Sequence, residues 1–318
     1  MEPKIGILLA MPMIGNKAVG STSASRSVFF PLVDTKDVHA VAAFTRTAIH
    51  RQYPDADTAV IDRLFRDVED MFSGRYFDYL ALDTRYHDSE HTLQAALCMI
   101  QLLEGRSRAG AMPRLSLRQV EIAIAAVLLH DTGYLKLRTD WRGTGAKYTY
   151  VHVIRSCAIA ASYLPTIGFG TDEVDTVENA IHCTGPRSQI QHLQFAGETE
   201  TFLGCALATA DYLGQMAAPD YVDELPFLYG EFEESDRFFN VPPEKRHFRS
   251  ARDLIAKTPA FWERFVLPRL REDYRGVYRF LAEPYPDGPN AYVEAVERNI
   301  ARTVGIARVF PNLPGSVR

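Results

Sequence analysis

The sequence lacks the marks of several large protein classes. Cysteine is scarce: Cys98, Cys157, Cys183 and Cys205 are widely spaced over 318 residues and form no C-x-x-C pair. A disulfide framework is therefore not expected, and each thiol, set in or beside an apolar helical segment, reads as reduced and buried. A basic excess is missing too. Thirty-five Lys and Arg stand against 40 Asp and Glu, a formal net charge of −5, which argues against a general nucleic-acid-coating role but leaves room for a local basic pocket. The apolar run Ile5 to Ile14 falls far short of the about 20 residues that span a bilayer. It also makes a poor signal peptide, because its basic end is only Lys4 beside Glu2, and Pro12 and Gly15 interrupt it. A cytoplasmic protein without membrane contact is the expectation. Internal repeats and low-complexity segments are absent.

What is present is an ordinary globular composition, 47% hydrophobic and 24% charged, in a chain long enough to bury a large core. Residues 1–35 give only a loosely ordered arm. From Asp37 the pattern turns helical. Val60, Ile61, Leu64, Val68 and Met71 recur at three- and four-residue spacing, and Ser73-Gly74 supplies a stop. Further helical segments are predicted at about 88–104, 116–131, 148–164, 172–183 and 199–217, then at 259–281 and 291–304. The segment from Ile122 to Leu129 is apolar nearly all round, so its helix belongs at the centre of the core. The prediction is an all-α fold: a helical core over 36–217 and a helical C-terminal extension over 218–318, rich in aromatics and charges.

Certain polar residues sit where packing alone would not put them. His87 and His91 are four apart at a helix start and share a face. His130-Asp131 ends the most apolar helix. His152 opens a helix, His182 closes another, and Asp211 interrupts the apolar run around Cys205 to Leu213. A lone histidine at a helix end is often just a cap for the dipole. An aspartate inside an apolar run is harder to dismiss, because burying an unsatisfied carboxylate costs several kcal/mol. Divalent metal satisfies such groups, and imidazole with carboxylate suits Fe, Mn, Zn, Co or Ni.

In order and type, His91, His130-Asp131, His152, His182 and Asp211 resemble the dinuclear members of the HD-domain superfamily, named for its adjacent His-Asp ligands. Tyr86-His87-Asp88-Ser89-Glu90-His91-Thr92 is similar to the Tyr-His-Asn-x-x-His-Ala motif of cyclic-nucleotide phosphodiesterases. The resemblance covers about residues 80–217. It implies an HD-domain helical bundle and two divalent metal ions per chain, drawn from Fe, Mn, Zn, Co, Ni or Mg. Asp131 would bridge them, with His91, His130 and Asp211 on one and His152 and His182 on the other. It further implies a phosphohydrolase, phosphodiesterase-like, in which a metal-bridging hydroxide attacks a nucleotide or other small phosphoester and His87 is the general acid. The sequence departs from the closest patterns at Asp88, at Thr132-Gly133-Tyr134 after the His-Asp pair, in lacking Gly-Tyr-Pro, and at Cys183, where a second paired histidine is usual. Lys147 and Arg155 flank the His152 helix as candidate phosphate-binding cations, with solvated surface charge as the alternative. Gln215, one turn beyond Asp211, is a candidate base-reading amide. Two other functions fit the ligand set: a di-iron HD-domain oxygenase cleaving a C–C or C–P bond, and a non-catalytic nucleotide-binding signalling module. The aromatic C-terminal third offers a surface for a homodimer in any of these cases.

Overall fold

The computed structural model describes residues 33–186 and 188–309, so nearly all of the N-terminal arm lies outside the described residues. The fold is all-α. Helices α1 (Val38–Gln52), α2 (Ala59–Phe72), α3 (Ser89–Arg108) and α4 (Leu117–Leu129) are followed by α5 (His152–Tyr163), α6 (Thr171–His182) and α7 (Glu198–Met216). Then come α8 (Tyr221–Phe238), α9 (Ala251–Phe261), α10 (Leu267–Arg271) and α11 (Ala291–Val309). Among the described residues there is no β-strand; one isolated bridge pairs Tyr79 with Leu137.

Helix α4 forms the centre. Ser116 and Gln119 close a reciprocal capping box at its start, satisfying two of the amides that any helix N-terminus leaves orphaned. From Val120 to Leu129 every residue is buried, as its all-round apolar pattern requires. Around it, α3 lies along α7 at close range. The approach depends on Gly214, where an added Cβ would stand 2.9 Å from the Ala95 backbone nitrogen. Helix α6 is tied to α4 by Arg118, whose guanidinium donates to both oxygens of Glu173 at 2.6 Å.

The C-terminal third is fastened to this core. Asn299 on α11 donates to the carbonyls of Met216 and Ala218 at 2.9 and 2.7 Å, satisfying backbone groups at the end of α7. The predicted helix over 259–281 is interrupted. Helix α9 starts earlier, at Ala251, passes through a π-helical segment at Trp262–Val266 into α10, and stops at Arg271. A 3₁₀ turn at Val277–Leu281 follows. Helix α8 has no counterpart in the sequence-based prediction, because Pro226 and Gly230 lie inside it and both discourage helix. No helix of the described residues is long and apolar enough to cross a membrane.

Candidate metal centre

Five of the six candidate ligands come together in the interior. His91 lies in the first turn of α3, which Asp88 caps by accepting the His91 amide at 3.0 Å. His130 and Asp131 end α4, and Asp211 projects from α7 opposite α3. His91 Nε2 stands 3.1 Å from Asp131 Oδ2 and 3.3 Å from Asp211 Oδ1. His130 Nε2 is 3.4 Å and 3.7 Å from the same two oxygens. The other Asp131 oxygen, Oδ1, faces His152 Nε2 at 3.6 Å. One carboxylate thus turns a different oxygen to each of two histidine sets.

The turn after the His-Asp pair is clamped from several sides. Thr132 donates its hydroxyl to the Leu129 carbonyl at 2.7 Å, and the Gly133 amide donates to Ser156 Oγ at 2.8 Å. Arg155 donates to the carbonyls of Gly133 and Leu135, each at 2.6 Å, while its guanidinium lies 3.6 Å over the Tyr148 ring. Gly133 is obligatory here: an added Cβ would lie 2.0 Å from the His152 carbonyl oxygen. The same close approach sets His152 beside Asp131.

Ring orientation is fixed as a ligand's must be. Nδ1 of His130 lies 2.7 Å from the Val127 carbonyl, and Nδ1 of His152 lies 2.7 Å from that of Thr149. Each therefore donates its Nδ1 proton to backbone and turns Nε2 inward, where the neutral ring presents a lone pair. Burial pushes the His152 imidazole below its ordinary value, which favours that neutral form. Burial also works against charge on His91, yet Asp131 and Asp211 raise it to about 10. Burial alone would raise both carboxyls; His130 and His91 hold them below the usual range instead.

Buried atoms without hydrogen-bond partners supply the test of whether a metal fits. Both ring nitrogens of His91, Nε2 of His130 and Oδ2 of Asp131 are buried with no such partner. The ligand atoms of His91, His130 and Asp131 lie within 4.8 Å of one another. Buried polar groups are rarely left so, and nitrogen with carboxylate oxygen is a divalent-metal donor set. This buried group could hold a metal ion.

The remaining candidates fall elsewhere. His182 is half-buried at the end of α6, with Glu178 one turn back as a charged neighbour; no ion pair among the described residues joins it to the cluster. His87 stands beside the cluster, its ring 5.4 Å from that of His91. Lys147 is buried and donates to Asp140 and to the Arg142 carbonyl, while Arg155 holds the Gly133 turn. Neither side chain is a loose surface cation. Gln215 accepts from the Tyr86 hydroxyl at 2.6 Å and donates to Asp211 Oδ1 at 2.9 Å, so its amide links the Tyr86 loop to a candidate ligand.

Sequence reasoning missed Glu231. It comes from α8, is 3% exposed, and reaches back across the molecule to His87. Its Oε2 lies 2.5 Å from His87 Nδ1, and Oε1 accepts the amides of Arg85, Tyr86 and His87 at 2.9, 2.7 and 3.3 Å. Burial would raise this carboxyl, but His87 and the amides hold it below its ordinary value. Tyr134 was also missed: it stacks against both His87 and His152, 4.7 Å from each ring.

A family model described as Npun_R2479-like matches residues 45–278, most of the chain. The chain belongs to the Npun_R2479-like family. No curated protein matches it. The matched span runs from α1 through α8 to Tyr278, so this Npun_R2479-like region takes in both the buried His-His-Asp group and Glu231.

Proposed function

We propose that this Npun_R2479-like protein is a metal-dependent phosphohydrolase of the HD-domain type, acting on a small phosphoester with two divalent cations. The observation that carries the reading is the disposition of Asp131, whose two oxygens face His91 and His130 on one side and His152 on the other. His91, His130, Asp131 and Asp211 would hold one cation, and His152 with Asp131 the second. A bound cation pair supplies acidified water and neutralises charge on the phosphoryl group.

His87 supplies the complementary acid. Glu231 accepts its Nδ1 proton and Tyr134 stacks against its ring, so the opposite nitrogen is oriented for the leaving-group oxygen. In its protonated form His87 gives the Nε2 proton to that oxygen as the P–O bond breaks and water oxygen bonds to phosphorus. Gln215 fixes Asp211 against Tyr86 and keeps that carboxylate aimed at His91. An oriented acid favours hydrolysis over the di-iron oxygenase chemistry that a similar ligand set supports. The test is a panel of phosphomonoesters, phosphodiesters and cyclic nucleotides run on wild type and His87→Ala, with dissolved oxygen monitored. Phosphate release that falls at least about 100-fold in the variant is expected for loss of a general acid. Oxygen consumption without hydrolysis of any phosphoester would replace this reading by the oxygenase.

A further inference from the structure

A row of exposed rings runs over the surface on the His152 side of the metal centre. Trp141, Phe238 and Phe239 are 75, 50 and 41% exposed. The row is continuous. Phe238 meets Phe239 edge-on at 5.1 Å, Phe239 lies 5.9 Å from Tyr150, and Tyr150 lies 6.5 Å from His247. At the other end the Lys147 ammonium is 5.8 Å from the Phe238 ring and donates to the Arg142 carbonyl, which brings the Trp141 loop alongside. Tyr150 stands two residues before His152, so the row passes beside the centre. The exposure of Trp141 is built in. Lys136 donates to the Gly143 carbonyl at 2.6 Å, Lys147 to Asp140, and the Thr144 hydroxyl to Glu234 at 2.6 Å. Two lysines are thus buried to fix a loop that turns its tryptophan to solvent.

Cations accompany the rings. Residues 237–257 hold six Lys and Arg against Glu244 and Asp253, in a chain of net charge −5. Arg237, Arg246 and Lys257 are engaged by Glu233, Asp236 and Asp253. Lys245 and Arg249, exposed on either side of His247, form no ion pair among the described residues. Arg142, at the far end, lies 5.0 Å from the Trp141 ring.

We infer that this strip binds a single strand of nucleic acid, its bases stacked on Trp141, Phe238 and Phe239 and its phosphates met by Arg142, Lys245 and Arg249. A single strand offers ring faces and anions in alternation, and stacking platforms flanked by cations are how such strands are held without sequence preference. A duplex turns its base faces inward, and an acidic peptide has none to offer. Charge complementarity favours the strand, because the cations without an acidic partner flank the rings and Glu244 is the one acid of residues 237–257 that pairs with none of them. Binding here does not depend on the phosphohydrolase reading.

Titration of the full chain with an end-labelled thymidine dodecamer, and with an abasic dodecamer of the same phosphate count, tests this by fluorescence anisotropy at low salt. Wild type is expected to bind the thymidine strand at least about 10-fold more tightly, the worth of one stacked base. The same strand should quench Trp141 emission, which is separable because Trp262, the other tryptophan, is buried. Phe238→Ala/Phe239→Ala should remove that margin and leave the abasic affinity unchanged. Lys245→Ala/Arg249→Ala should weaken both strands and flatten the slope of log affinity against log salt by about 1.4, about 0.7 for each charge removed. Equal affinities of wild type for the two strands, with Trp141 emission unmoved, would overturn the inference whether or not the variants fold. Binding of neither strand would overturn it as well. Displacement of the thymidine strand by polyglutamate at equal charge would overturn it in favour of an acidic protein partner. Each readout is independent of turnover, so the phosphohydrolase reading stands or falls separately.

Discussion

At the scale of single residues the structure separates ligand candidates from the groups that hold them in place. Glu231 is the clearest of the latter, since one buried carboxylate satisfies three loop amides and orients His87. Glu231→Gln turns an NH₂ toward a donor whichever way its amide is placed. Loss of a partner that orients a site histidine typically costs about 10- to 100-fold in activity. We expect a fall of that size in kcat, with bound metal retained, in steady-state kinetics run beside elemental analysis. Loss of the metal itself would show that Glu231 supports the fold rather than His87. Gly133 makes a second test. Its Cβ would collide with the His152 backbone rather than with a yielding side-chain end. Gly133→Ala should therefore cost about 1–3 kcal/mol of stability and weaken metal binding, read by denaturant unfolding and chelator competition. An unperturbed Gly133→Ala would mean that the turn can shift without disturbing His152.

Between elements, Arg118 and Glu173 join α4 to α6 through a two-point ion pair that is about 30% exposed. Hydrogen bonding from Arg118 holds the Glu173 carboxyl below its ordinary 4.5. A carboxyl depressed on folding contributes stability that is complete above its ordinary value and lost as pH falls through the depressed one. Glu173→Gln should therefore be about 1 kcal/mol less stable than wild type near neutrality, with the gap closing below pH about 4. Urea unfolding of both proteins across pH 3–7 checks this, and a gap independent of pH would assign the loss to something other than charge. The helices that sequence reasoning found are those with a strong pattern. Helix α4, apolar all round and opened by Ser116, lies where predicted, as do α3, α6 and α7 within a few residues. Helix α8 was not legible, because Pro226 sits at its sixth residue and its stability comes from packing. The site divides the same way. His91, His130, Asp131, His152 and Asp211 were conspicuous as polar groups in apolar settings. Glu231, in a stretch full of charges and 144 residues from His87, carries no local signal, since only the tertiary fold gives it a partner.

Across the whole molecule, the C-terminal third bears on the site rather than merely following it. Helix α8 brings Glu231 to His87 and Glu234 to Thr144, where its carboxylate accepts both the amide and the hydroxyl at 2.6 Å. Buried Leu254, Trp262, Val266 and Val296 extend the same hydrophobic core. A fragment ending at residue 217 would expose that surface and orphan the amides of residues 85–87, so it should show no cooperative unfolding transition. A fragment that melts cooperatively would make residues 218–318 an independent addition. A cation held at this centre would couple to global stability, because a ligand that binds only the folded chain stabilises it by mass action. Chelation should lower the melting temperature of wild type and leave that of Asp131→Ala nearly unchanged. The two-cation phosphohydrolase reading is tested most directly by elemental analysis of protein purified without added metal, run on wild type, His130→Ala and Asp131→Ala beside phosphoester turnover of the same samples. About two divalent ions per chain are expected in wild type, with metal and hydrolysis both lost in the variants. Wild-type protein that holds no metal under any loading condition would contradict it.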